Sequence, residues 1–291
     1  MKQLLLAIAV SIVAPLFAQK DDLFDLFNDV EEVQLTYATF KGTQLINAAT
    51  NETPGEGVLQ YVIAHRFGSF NDDYLYNFFG LDNAQIRMQL DYGVTDKLNI
   101  GVGRSSFLKV ADGFVKYKLL QQQTGLKNVP LSLTLHSSTN YRNARYTDGV
   151  DHYLSDRFSY MHQAIITRKW NRSFSTLLSP SIVHFNIVPT ASDPNTTAHI
   201  TIGGRYKVTN RMALTGESTL LSNREFSSGE RYTTPFALGV DIETGGHVFQ
   251  LHISNTRAMN GPYWMARNPY SASNGGLFLG FNISRVFTVK E

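Results

Sequence analysis

The chain has no cysteine. This excludes a disulfide framework, a cysteine nucleophile and a lipidated cysteine behind an export signal, and it is compatible with an oxidising compartment. There is also no long hydrophobic run: no segment reaches the ~20 apolar residues that a spanning helix needs. Charge of one sign is never concentrated in a basic block, and the net charge is only +2. Nucleic acid is therefore not an expected partner.

What is present begins with an export signal. Lys2 supplies a positive start, residues 4–17 an apolar run of signal length, and Ala18 a small residue suited to cleavage. The expected organisation is a signal peptide at 1–18, an acidic amphipathic segment at 19–33, an extension, plug or extra strand at 34–56, and a transmembrane β-barrel at 57–291. In the acidic stretch from Lys20 to Val33, Leu23, Phe24, Leu26, Phe27 and Val30 have helical spacing, and Asp21, Asp22, Asp25, Asp29, Glu31 and Glu32 form the other face. Such a stretch reads as a short helix, a partly ordered tail or a docking element for a periplasmic protein, and an acidic helix is not drawn to an anionic bilayer.

The rest of the chain is dominated by strict alternation. In residues 84–93, Ala84, Ile86, Met88, Leu90 and Tyr92 alternate with Gln85, Arg87, Gln89 and Asp91. Successive side chains of a strand face opposite ways, so this segment has one apolar and one polar face. About twelve such segments follow residue 56, with cores at 57–67, 84–93, 98–105, 114–120, 131–141, 158–168, 174–187, 198–208, 212–221, 235–243, 248–256 and 277–289. Short connections alternate with long ones, the pattern of an outer-membrane barrel with short periplasmic turns and long external loops. The fold class is thus all-β, a transmembrane antiparallel up-and-down barrel of about 12 strands, in the outer membrane of a Gram-negative bacterium. Fourteen strands remain possible if 34–50 and one more segment pair.

Register follows from apolar residues facing apolar residues. A two-residue Gly245-Gly246 turn pairs Ile242 with Phe249 and Val240 with Leu251. A three-residue turn at 94–96 pairs Tyr92 with Leu98, Leu90 with Ile100, Gln89 with Gly101 and Arg87 with Gly103. Outward aromatics sort to two rims, Tyr92, Tyr117, Phe174, Tyr206 and Phe287 at the short-turn end, where Trp170 sits in a turn, and Phe67, Tyr141, Phe158 and Phe236 at the other, as belts at two interfaces should. Arg285 falls on the lipid face but near the end of the last strand, where it can reach the headgroups.

Segments His65-Arg66-Phe67-Gly68, Asn77 to Ala84, Leu90 to Asp96, Gly103-Arg104-Ser105 and Asp112 to Leu120 resemble a Bacteroidetes outer-membrane β-barrel family classed as a domain of unknown function. The resemblance implies the barrel and its location and brings no catalytic residue with it.

Function is read from three sets of residues. Face assignment puts Arg66, Arg87, Lys116, Lys118, Arg205 and Lys207 in the lumen with Asp91, Glu217, Asp241 and Glu243. Cations outnumber anions there, which favours anionic solutes. The other reading of the same residues is an interlocked network that plugs the barrel, with Arg205 diagonal to Glu217. His136, His199 and His252 also face inward, without metal-type spacing, so isolated wall residues are the better reading and no cofactor or metal is expected. His162 and His184 face lipid, His162 opposite Pro180. A nucleophilic serine beside them is not evident, so an enzyme is not expected. The long loops offer Asp72, Asp73, Tyr74, Tyr76, Tyr263 and Trp264 as ligand contacts. Asp148 to Asp151 lacks calcium-loop spacing, and Gly101-Val102-Gly103 lies inside a strand. The expected function is a porin-like channel for small polar solutes. The alternatives are a closed barrel that binds partners through its loops or its acidic segment and, more remotely, a lipid-modifying enzyme.

Overall fold

The computed structural model describes residues 32–70, 73, 75–221, 226–227 and 229–289. The signal at 1–18 and nearly all of the acidic segment lie outside the described residues. From Val33 onward the chain forms one compact unit, a closed barrel of twelve antiparallel strands. They are β1 Val58–Ser69, β2 Gln85–Gly93, β3 Leu98–Ser105, β4 Val110–Leu120, β5 Ser132–Arg142, β6 Phe158–Lys169, β7 Phe174–Phe185, β8 Thr196–Lys207, β9 Met212–Leu221, β10 Phe236–Thr244, β11 His247–Ser254 and β12 Phe278–Thr288. Each strand pairs with its sequence neighbours, and β12 pairs with β1 to close the barrel. No edge strand is left, so every strand N–H and C=O has a ladder to join.

The pattern of exposure is inverted relative to a water-soluble protein. Arg66, Asp91, Lys116 and Asp241 are buried inside, and Val102, Leu214, Leu238 and Leu251 are more than half exposed on the outer face. Apolar exposure on this scale, continuous around a closed sheet, fits lipid and not water. No described helix is long and apolar enough to cross a membrane, so the crossing is made by strands.

The Gly245-Gly246 hairpin has the expected register, with Ile242 opposite Phe249 and Gly239 opposite His252. The β2–β3 hairpin differs by two residues: Tyr92 faces Ile100, Leu90 faces Val102, Gln89 faces Gly103 and Arg87 faces Ser105. The reason is local. The Thr95 hydroxyl accepts the N–H groups of Lys97 and Leu98 at 3.2 and 3.0 Å. This folds Leu98 into the turn and lengthens it. A slip of two keeps every side chain on its face. Across β6 and β7, His162 faces Ile182, and Pro180 lies opposite Ile200 instead.

Strand β4 starts at Val110, earlier than the alternation indicates, because Asp112-Gly113 reads as a turn. Its tertiary setting overrides that propensity: Asp112 pairs with Gly103 in the ladder and its carboxylate holds Arg87. The β3–β4 connection therefore shrinks to Ser106 plus the single turn Phe107–Lys109.

Residues 34–56 add no strand to the barrel. Gln34–Leu35 pair only with Gln123–Thr124 of the turn between β4 and β5. The chain then enters the lumen from the short-turn end, folds into a hairpin and returns to Val58. From the other end, the loop between β11 and β12 carries a short helix, α1 Gly261–Ala266, and its Pro262, Tyr263, Trp264, Met265 and Ala266 are all buried.

Candidate functional site

The lumen is the site, and the N-terminal hairpin fills its lower half. Leu45 N–H donates to Ala48 C=O at 2.8 Å and Thr50 N–H to Thr43 C=O at 3.0 Å, which places the tip at residues 45–48. At the tip the N–H groups of Ile46, Asn47 and Ala48 point the same way. Glu217 on β9 accepts all three, at 3.1, 2.8 and 3.1 Å. Successive backbone N–H groups form an anion-binding concavity, and here a wall carboxylate occupies it.

The remaining wall contacts follow the same logic, with side chains of the barrel meeting backbone and side-chain groups that the hairpin leaves open. Lys116 donates to Thr43 C=O at 2.8 Å and to Thr50 C=O at 3.4 Å. Gln250 donates to Leu45 C=O, and Asn282 to Ile46 C=O at 2.9 Å. Arg66 donates to the Asn47 side chain at 2.7 Å, and the Thr43 hydroxyl donates to Asp91 at 2.9 Å. Apolar contacts supplement these bonds. Phe40, Leu45 and Ala49 cluster with Ile165 of β6 and Leu177 of β7. A Cβ on Gly203 would come within 2.6 Å of the Leu45 side chain, so the glycine makes the room in which Leu45 lies.

The loop helix packs into the upper half by other means, against the β4, β6 and β7 side of the wall. Trp264, Met265, Ala266 and Tyr263 cluster with Met161, Val183 and Phe185 of β6 and β7 and with Val110 of β4. A Cβ on Gly261 would collide with Met161. Ala48 of the hairpin joins this same cluster, so the two fillings meet. Between them remains a cavity of about 40 Å³, lined by Gln44, Arg87, Lys116, His136, Gln163 and Trp264 among others. That is room for a few waters.

Each lumen residue picked from the sequence has a definite place. Arg66, Arg87, Asp91, Lys116, His136, His199, Arg205, Glu217, Asp241 and His252 are buried inside the barrel, and Lys118, Lys207 and Glu243 are half-buried toward the short-turn end. Arg87 makes a bidentate pair with Asp112 at 2.5 and 2.8 Å. Arg205 does not bond Glu217, whose oxygens are taken by the hairpin. It pairs with Asp241 at 3.3 Å and Glu243 at 2.5 Å, and Glu243 also meets Lys41 at 3.1 Å. The histidines stand apart on β5, β8 and β11. His136 bonds Gln163 at 2.8 Å, His199 bonds Thr197 at 2.8 Å, and His252 packs beside Gly280.

The loop residues divide. Asp73 and Tyr76 are exposed, whereas Asp72 and Tyr74 lie outside the described residues. Trp264 is no external ligand contact: at 2 % exposure it is packed inside the barrel, because α1 turns its apolar face onto Met161 and Val183. Tyr263 is 8 % exposed and forms the base of an outer vestibule. On the lipid face, Ser137 lies opposite His162, its Oγ 2.9 Å from Nδ1. An outward serine is thus present where face assignment finds none.

Asp112, Gln250, Asn282 and the inward apolar residues Met161, Ile165 and Leu177 are the functional residues missed by sequence reading. A signal for the last three exists. An aqueous wall has no need of large apolar residues on its inner face, and β6 and β7 carry them on both.

This is a membrane-bound β-barrel whose lumen is occupied by its own chain. The sequence from residue 40 to 287 matches the family described as membrane bound beta barrel domain (DUF5777), and the chain belongs to that family. The match begins within the hairpin, so it takes in the filling as well as the twelve strands. No curated protein matches the chain. Among solved structures, an outer membrane channel from Pseudomonas putida F1 is similar at TM-score 0.47 and 15% identity, over 81% of this chain and 97% of that one. Outer membrane protein Omp33 of Acinetobacter baumannii is similar at TM-score 0.41 and 10% identity, over 80% and 99%. Outer membrane phospholipase A of Escherichia coli is similar at TM-score 0.44 and 10% identity, over 80% and 91%.

Proposed function

We propose that the protein is a porin-like conduit for small polar solutes in the outer membrane of a Gram-negative bacterium, exported by a signal cleaved after Ala18 and shut by its own N-terminal hairpin. One observation carries this reading. The hairpin is an arm outside the twelve-strand ladder, held in the lumen by side-chain hydrogen bonds to charged wall residues. Its withdrawal leaves every ladder bond intact and uncovers Arg66, Lys116, Asp91 and Glu217 on the inner wall. Buried charges cost several kcal/mol each unless well paired, so a permanently closed barrel is more simply filled with apolar side chains. The wall cations support a preference for anionic solutes, although Asp112, paired with Arg87, narrows the cationic excess. In this orientation the short turns and both chain ends face the periplasm, where the stretch from Lys20 to Val33 is available to a periplasmic protein.

The test is single-channel conductance in planar bilayers, comparing the full chain with a variant lacking residues 38–52, after heat-modifiable gel migration has shown both to be folded barrels. The full chain is expected to give rare, brief steps. The deletion is expected to give stable ohmic ones with anion preference. Silence from the folded deletion variant overturns the conduit reading.

A second reading, a closed barrel acting as a binding or scaffold protein, is favoured by the filling of the lumen from both ends with only about 40 Å³ left between. It predicts silence from both chains and a partner lost on removing residues 20–33 or altering the outer loops. A lipid-modifying enzyme would use Ser137 and His162. Among the described residues no further hydrogen bond orients that imidazole, and the pair serves equally to satisfy two polar groups facing lipid.

A further inference from the structure

Above α1, at the long-loop end, the loops enclose a cavity of about 560 Å³, a size typical of small-molecule sites. Tyr263 forms its base, and its ring meets Phe185 edge-on at 5.3 Å. Two guanidinium groups stand on its walls. That of Arg142 lies 4.4 Å over the Tyr146 ring, and that of Arg267 lies 4.4 Å over the Phe185 ring. Both arginines line the same cavity as Tyr263, whose phenol is pushed up by burial.

The carboxylates around this cavity are already engaged. His152 stacks on Tyr146 at 3.8 Å and meets Asp148 at 2.8 Å and Asp156 at 3.7 Å. Asp156 also accepts the Tyr153 N–H at 2.9 Å. Glu230 accepts the Tyr232 hydroxyl and approaches Arg267 only to 3.9 Å. The Arg142 Nε is buried and has no hydrogen-bond partner among the described residues. What the cavity offers a newcomer is therefore two guanidinium faces, those of Arg142 and Arg267, set among aromatic rings.

We propose that this vestibule binds an organic anion with a flat aromatic body, its carboxylate on Arg142 and Arg267 and its ring against Tyr146, Phe185 and Tyr263. A planar guanidinium suits a carboxylate, and the rings replace water around the apolar body. The site holds whether or not the lumen opens, so it stands independently of the conduit reading.

The experiment is calorimetric titration of the folded full chain in detergent with naphthalene-2-carboxylate, and with the neutral naphthalene-2-carboxamide as its control. Saturable binding of the carboxylate, about tenfold tighter than the amide, is expected from a charge-assisted hydrogen bond. Arg142→Gln should weaken the carboxylate about tenfold, leave the amide unchanged, and be partly restored by Arg142→Lys. Ile187→Trp, which adds bulk at a lining position and leaves both arginines in place, should remove both ligands. Equal affinity for the two ligands means partition into apolar surface and overturns the proposal. So does carboxylate binding unchanged by Arg142→Gln in a barrel that migrates as folded. If Arg142→Gln does not fold, retention of binding by Ile187→Trp overturns the proposal and its loss supports it.

Discussion

The two fillings of this barrel meet at Ala48, yet they are held by opposite means. The hairpin offers backbone polar groups and the Asn47 amide, and the wall answers with Glu217, Lys116, Gln250, Asn282 and Arg66. The α1 loop offers Trp264 and Met265, and the wall answers with Met161, Val183 and Phe185. A polar grip is directional and depends on single atoms, so one altered charge can release it. An apolar grip depends on volume, so it yields only when space is created. On the conduit reading, this difference makes the hairpin the element that moves and the loop helix the fixed one.

The largest effect should come from the apolar side. Trp264→Ala removes the largest fully buried side chain and should cost about 3–5 kcal/mol, seen as a lower temperature for conversion of the folded band on heat-modifiable gels. Glu217→Gln comes next. The amide keeps one acceptor oxygen where the carboxylate served three N–H groups, so hairpin docking should weaken by about 2–3 kcal/mol. Amide exchange at Ile46, Asn47 and Ala48 should accelerate while the strands stay protected. Unchanged exchange there would remove the polar grip from the comparison. Because Ala48 belongs to the helix cluster, combining the two substitutions should depart from additivity by about 0.5–3 kcal/mol; strict additivity would mean two independent fillings.

Smaller still is Gly203→Leu, which places a side chain where Leu45 lies. Its strain, of about 1–3 kcal/mol, should loosen the hairpin and leave the α1 loop untouched, again read by exchange. The smallest effect concerns the outer loop. The His152 hydrogen bond holds the Asp148 carboxyl below the usual range. A depressed acid contributes stability above its ordinary pKa and loses it as pH falls through the lowered one. Proteolysis of loop 143–157 should therefore quicken only on strong acidification, and Asp148→Asn should abolish that pH dependence.

Much of the barrel was legible because its signal is local. Each strand announces itself by period-two alternation, and the Gly245-Gly246 turn fixes its own register. The β2–β3 register slipped by two because a threonine hydroxyl, and not residue spacing, sets that turn. The start of β4 was hidden because Asp112-Gly113 has the composition of a turn, and only the distant Arg87 makes it strand. Placing Trp264 among outer loop contacts failed for a related reason. An aromatic residue in a loop looks alike whether it faces water or the inside of a barrel, and the deciding partners, Met161 and Val183, lie some 80 to 100 residues away in sequence.

The sequence alone determined that most strands have one apolar and one polar face, since that depends only on the order of neighbouring side chains. What occupies the polar interior was decided by tertiary structure. A polar wall is equally satisfied by water and by the backbone of a hairpin. Only folding the N-terminal arm back inside puts three N–H groups onto Glu217.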